Sequence, residues 1–176
     1  MGRARRHWDA VAKPRHGLGL LEDVVVRMAG VAPLGRDLKK AVAAFCADNG
    51  VVAQGVTQSG SEVTAAVTRN LALGRTSVCR MAAVADCAVV PVDLGVLDFP
   101  PVEGVLRRRA GNGTADLSQG PAMAREQAVQ AVLTGMDLVK EQQERGVRLV
   151  ATGEMGIGNT TTSSAVASVM LGLPPE

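Results

Sequence analysis

The chain has 176 residues and a formal net charge of +2, with 47% hydrophobic but only 2% aromatic residues. That length suits one domain of ordinary size. The small charge gives no footing for nucleic acid, and the shortage of aromatic rings removes the stacking platforms that single-strand binders use.

A core of this composition has to be Val, Leu, Ala and Met, the palette of buried parallel strands and their helices. Arg3, Arg5 and Arg6 open the chain as a basic run, but no apolar stretch follows them, so a signal peptide is not expected. No segment has the length of a membrane span. Cys46, Cys79 and Cys87 are odd in number and lack metal-ligand spacing, which points to reduced thiols in a cytoplasmic protein without a metal site.

In chain order, a loop around Lys13–Gly19 precedes a helix from Leu20 to Ala29, with Leu21, Val24, Val25 and Met28 on one face and Gly30 and Pro33 as its stop. Residues 1–40 therefore read as an N-terminal helical segment. Ala41 to Ala47 is a buried strand, and Asp48-Asn49-Gly50 a turn at its carboxyl end. Ser59 and Glu62 have capping-box spacing, which predicts a helix from there to Leu73 with Gly74 as its stop. A short helix covers Ser77 to Ala85.

Cys87 to Val92 is the clearest strand, although Pro91 argues against full pairing at that residue. It ends in Asp93. Residues 97–120, with several Gly and Pro, read as one long loop. Pro121 then suits the first position of a helix reaching Arg145, with Ala128, Val132, Leu133, Met136 and Val139 as its buried stripe. A strand over 147–151, a glycine-rich turn and a helix over 163–171 complete the order. Such alternation predicts an α/β fold, an open, mainly parallel Rossmann-like sheet with flanking helices.

Gly153-Glu154-Met155-Gly156-Ile157-Gly158-Asn159-Thr160-Thr161-Thr162 concentrates the chemistry. Glycines allow positive φ and close backbone approach, and the helix start offers unpaired N–H groups and the positive end of the helix dipole. Such a place suits a phosphate. It lacks the Gly-Lys-Ser/Thr ending of a P-loop and the spacing of the dinucleotide fingerprint, which argues against an ATPase or a dehydrogenase. Asn159 and the threonine hydroxyls serve either as caps or as phosphate and ribose ligands. Glu154, a carboxylate beside an anion site, needs a reason; proton abstraction from a nitrogen nucleophile, or stabilisation of a positive transition state, would supply one. Since ligands of open α/β sheets bind outside the carboxyl ends of the strands, Asp48–Gly50, Ser59, Asp93, the 107–123 loop and this turn should share one rim.

The 153–161 motif resembles the signature of the nicotinate-nucleotide:dimethylbenzimidazole phosphoribosyltransferases. Lys13-Pro14 with Leu18-Gly19 and Leu21-Glu22, Gly50-Val51 with Gly55-Val56 and Val63-Thr64, Val92-Asp93-x-Gly95, Gly113-Thr114, Pro121-Ala122-Met123 and Gln127 continue the likeness in the same order. Asn49 stands where the family pattern has His, and Asp116 where it has Asn. The resemblance implies transfer of phosphoribose from nicotinate mononucleotide to 5,6-dimethylbenzimidazole, in synthesis of the lower-ligand nucleotide of cobalamin, with no cofactor and as a homodimer. It implies a catalytic role for Glu154, phosphate contacts from Gly156, Gly158, Asn159 and Thr160, and a place near the base for Ser59 and Asp93. Residues 41–176 would be the N-terminal part of the phosphoribosyltransferase domain, with a sheet incomplete on its C-terminal side, since the family keeps its principal general-base glutamate further along a longer chain. The alternative is a non-catalytic nucleotide-binding module, or a structural half that needs a partner chain.

Overall fold

Strand β1 (Lys40–Ala47) is the axis of the sheet, and its residues explain why: Ala41, Ala43, Ala44 and Cys46 are small and buried, so elements can approach closely on both faces. In the computed structural model β1 pairs in parallel with β2 (Cys87–Gly95) on one side and β4 (Leu149–Met155) on the other, and β2 pairs with the short β3 (Leu106–Arg107). Among the described residues, which are 2–14, 16–31 and 37–174, this gives a four-stranded sheet in the order β3-β2-β1-β4. The α/β parallel architecture read from the sequence is the one observed.

Between β1 and β2 run a 3-10 helix (Gly50–Gln54), α3 (Glu62–Ala72) and α4 (Ser77–Val84); α5 (Arg125–Glu144) leads to β4, and α6 (Asn159–Leu171) follows it. The chain thus leaves β1 toward β2 and β3, then returns to place β4 on the opposite side of β1. The junction between β1 and β4 is the topological switch point, where the loops after two neighbouring strands diverge and leave a crevice.

One core cluster gathers Ala44, Cys46, Leu71, Cys79, Val96 and Phe99; another holds Ala43, Val92 and Leu138. Burying Val92 completely is worth about 1.5–3 kcal/mol before entropy is counted. Pro91 lies in an interior strand, yet β3 pairs with β2 at Val92 and Asp93, so among the described residues the sheet at Pro91 has a neighbour on the β1 side alone. The proline is tolerated because the second side makes no ladder there. One register shift follows: Cys46 is opposite Asp93 but Ala47 is opposite Gly95, a bulge at the end of β2 that re-aims the rim.

Four sequence expectations are corrected. Pro121 does not open α5; the helix starts at Arg125, and Gln127 Oε1 accepts a 2.8 Å bond from the Ala124 amide, leaving 120–124 to a loop held by Ala115 N donating to Ala122 O. The apolar stripe of α5 faces outward, Val132, Met136 and Val139 being exposed, while Thr134, Leu138 and Gln142 are buried. Ser59 does not cap α3. Ser61 precedes that helix without a side-chain cap, and the Ser59 amide is taken by Thr57 Oγ1 at 3.0 Å. The 97–120 segment is not wholly loop, because it contains β3.

The division of the chain gives two compact units, Met1–Leu38 and Lys39–Glu176. In the first, α1 (Gly2–Asp9), which has too few apolar residues to announce itself, is held to α2 (Leu20–Val31) by side chains: Arg5 pairs with Asp23, and Trp8 Nε1 donates to Glu22 Oε2 at 3.1 Å. Lys13 Nζ lies 5.0 Å from the Trp8 ring centroid. The indole N–H, outweighing desolvation, holds the Glu22 carboxyl below the usual carboxylate range, with the Leu18 amide adding to it. Gly30, expected to stop α2 at Ala29, lies inside the helix, which runs to Val31, and Pro33, the other expected stop, lies outside the described residues.

Candidate functional site

The glycine turn sits at the switch point. Strand β4 runs further than its apolar residues suggest, so Gly153, Glu154 and Met155 are strand residues, opposite Ala44, Phe45 and Cys46, and the turn itself is Gly156-Ile157-Gly158. Two glycines are required. A Cβ on Gly156 would fall 2.2 Å from the Ala47 carbonyl oxygen, and Gly158 has φ 83° with a Cβ position 2.9 Å from Val52 Cγ2. The turn is therefore pressed against the backbone that leaves β1, and Gly158 is left-handed where α6 begins.

Around this start the backbone donors divide. Asn159 N donates to Gly156 O at 3.1 Å and Thr162 N to Gly158 O at 3.3 Å. Among the described residues, the Gly158, Thr160 and Thr161 amides have no partner. Together with the N-terminal end of the α6 dipole they form a corner of free donors, an arrangement that suits an anion. Ile157 N is taken by Thr64 Oγ1 at 3.1 Å, from a residue of α3 that is fully buried.

Glu154 is exposed on the rim, and its Oε1 accepts a hydrogen bond from Asn159 Nδ2. The Asn159 carboxamide is thus turned to the carboxylate, while its Oδ1 accepts from Thr160 Oγ1 at 3.3 Å. Glu154, Gly156, Gly158, Asn159 and Thr160 are brought together in one place. Ser59 is exposed in the bend between the 3-10 helix and α3, in the connection that follows β1, and no hydrogen bond among the described residues joins it to the turn.

Asp93 is different. It is 1% exposed; its Oδ1 accepts from Val96 N at 2.9 Å, and Arg109 Nη1 donates to its Oδ2 at 3.0 Å and to Val96 O at 2.8 Å. Arg109 was not singled out by sequence reasoning, because nothing in the run Arg107-Arg108-Arg109 marks which guanidinium turns inward. An opening of about 410 Å³, lined by Asp98, Phe99, Pro100, Arg107, Arg109 and Asn112, lies at this β2–β3 end of the rim.

Between the two ends stands the dipeptide Asp48-Asn49. Asp48 is 1% exposed; its amide donates to Gly95 O, its carbonyl accepts from Thr114 N, and its Oδ2 accepts from Leu97 N at 2.8 Å, whereas Oδ1 is buried without a partner among the described residues. Thr114 Oγ1 accepts from Gly50 N at 3.1 Å. Asn49 faces the other way, donating to Ile157 O at 3.0 Å and accepting from Thr162 Oγ1 at 2.9 Å.

With this geometry in view, a family model described as phosphoribosyltransferase matches residues 1–176, the whole chain. The chain belongs to that family. It is 42% identical to the nicotinate-nucleotide–dimethylbenzimidazole phosphoribosyltransferase of Acetivibrio thermocellus over 97% of its own length and 49% of the relative's, and 43% identical to that of Thermus thermophilus over 98% and 52%. The crystal structure of CobT from Thermus thermophilus superposes with a TM-score of 0.86 at 40% identity, covering 99% of this chain and 53% of that one. The chain spans about half the length of the phosphoribosyltransferase relatives it matches. No helix among the described residues is long and apolar enough to cross a membrane.

Proposed function

We propose that this chain carries the nucleotide-binding wall of an enzyme that transfers phosphoribose from nicotinate mononucleotide to 5,6-dimethylbenzimidazole, giving α-ribazole 5'-phosphate and nicotinate for the lower ligand of cobalamin. The observation that carries the reading is the corner of free amides at Gly158, Thr160 and Thr161, built at the switch point by the family's own glycine motif. In this reading the 5'-phosphate sits on those amides, with the Thr160 hydroxyl beside it. A phosphate anchored there fixes the ribose so that a base nitrogen can attack the anomeric carbon from the face opposite the departing nicotinate, which inverts the configuration.

Positive charge develops on the ribose as the leaving group departs. Glu154, one residue before the strand end and steadied by Asn159, is the carboxylate for that charge or for the proton of the attacking base. Ser59 faces the base. Asp93 acts at one remove, by holding Arg109, the Val96 amide and the rim they shape. Residues 41–176 are the N-terminal part of the catalytic domain and 1–40 part of a small helical subdomain. The three thiols of the chain are free, in keeping with a reducing, cytoplasmic compartment, and the enzyme is read as a homodimer on the family resemblance alone.

The test is product formation from nicotinate mononucleotide and dimethylbenzimidazole, separated by chromatography, beside calorimetric binding of the nucleotide, with a full-length relative as the positive control. Glu154→Gln should lower turnover by about 100-fold or more while nucleotide binding persists. Binding by this chain without product would assign it the role of a nucleotide-binding half. No binding at all would contradict the proposal.

A further inference from the structure

Resting on the reading that the glycine turn takes a nucleotide phosphate, we infer that Asn49 is the positioning residue of that phosphate site, a clamp that holds the turn at both ends from the neighbouring strand. Both ends of its carboxamide are engaged: Nδ2 donates to the Ile157 carbonyl at 3.0 Å, before the helix start, and Oδ1 accepts from Thr162 Oγ1 at 2.9 Å, in the first turn of α6. Between those two anchors lie Gly158, Thr160 and Thr161, whose amides are unpartnered among the described residues. Free amides at a helix start ordinarily fray or turn to water, and a phosphate gains most from them when their directions are fixed before it arrives.

Three further features favour a clamp over a chance contact. Asn49 Nδ2 would lie 2.8 Å from a Cβ on Gly156, so the carboxamide lies against the turn's backbone and the glycine is what admits it. Thr64 Oγ1 takes the Ile157 amide, so the residue between the two glycines is gripped on both its N–H and its C=O. Asn49 itself is fixed by its predecessor, because Asp48 is bonded to Gly95, Leu97 and Thr114. The clamp is therefore anchored through Asp48 to the loops after β2 and β3.

The test compares two ligands that differ only in the phosphate, nicotinate mononucleotide and nicotinate riboside, by calorimetry. Asn49→Ala should weaken the mononucleotide by about 10-fold or more and leave the riboside within about 2-fold. Thr162→Val should reproduce part of that loss and Thr162→Ser, which keeps the hydroxyl, should restore it; Asn49→Ala with Thr162→Val should be little worse than Asn49→Ala alone. In the free protein, amide exchange over 156–162 should quicken in Asn49→Ala.

Unchanged mononucleotide affinity in Asn49→Ala, or an equal loss for both ligands, overturns the inference. So does Thr162→Val behaving like Thr162→Ser, which decides the matter if Asn49→Ala fails to fold. Absence of mononucleotide binding by the unaltered chain overturns the nucleotide reading, whereas the exchange measurement then judges the clamp by itself.

Discussion

Arg109 and Asp93 show how a residue's type can be read in sequence while its job cannot. Asp93 at the carboxyl end of β2 reads as a rim carboxylate, and it is on the rim, but 1% exposure and bonds to Arg109 and Val96 N leave little of it for a ligand. The partner that decides this lies 16 positions away, beyond any local pattern. Breaking such a buried pair by removing one member leaves an uncompensated charge, so Arg109→Met should destabilise the fold by about 3 kcal/mol or more, read as a shift in the midpoint of urea unfolding. The glycine turn is the opposite case. Gly156 and Gly158 were legible because close approach and positive φ leave no other residue type, and the structure shows both constraints at work. Asn49 was legible as a turn residue only; its two bonds join positions more than 100 residues apart, 49 with 157 and 49 with 162.

Elements with a strong apolar run, β1, β2 and β4, and α3 with its clear stop at Gly74, stood out in the sequence, and the short α4, read as Ser77 to Ala85, is observed to Val84. β3 did not, since a two-residue strand carries no period. Helix α5 was found but rotated: its outward stripe is more apolar than its inward face, where Thr134 and Gln142 flank Leu138. Pattern reading assigns the more apolar side inward, and here the docking of Leu138 beside Ala43 and Val92 overrides it.

Helix α1 escaped because its attachment is polar, and that makes it sensitive to acid. The Glu22 carboxyl is held below its usual range chiefly by the Trp8 N–H, so its contribution is present at neutral pH and is lost as pH falls through the lowered value. Trp8 is the one tryptophan of the chain, so its fluorescence reports this contact directly. The emission should change on acidification below the usual carboxylate range, and Glu22→Gln should abolish that step; an unaltered acid step in the variant would show that another group governs it.

At the scale of the whole molecule, two helices turn apolar stripes to solvent. Val132, Met136 and Val139 on α5, and Val166, Val169 and Met170 on α6, are each at least half exposed, and among the described residues β4 has a strand neighbour only on its β1 side. Exposed apolar stripes and open strand edges are sites of association. The 176-residue chain should therefore associate in a concentration-dependent way in sedimentation experiments, and Val169→Lys with Met170→Glu should reduce it. A chain that stays monomeric at every concentration would show that these faces are tolerated in water.

The central claim is that a nucleotide phosphate sits at the β1–β4 switch point, on the turn Gly156-Ile157-Gly158 and the start of α6. Titrating nicotinate mononucleotide into the nitrogen-15-labelled chain and following amide shifts tests it most directly. The largest shifts should fall on Gly158, Thr160 and Thr161, with smaller ones at Asn49 and Thr64, and they should shrink when nicotinate riboside replaces the mononucleotide. Shifts centred instead on Arg107 to Asn112, or equal for the two ligands, would contradict the account.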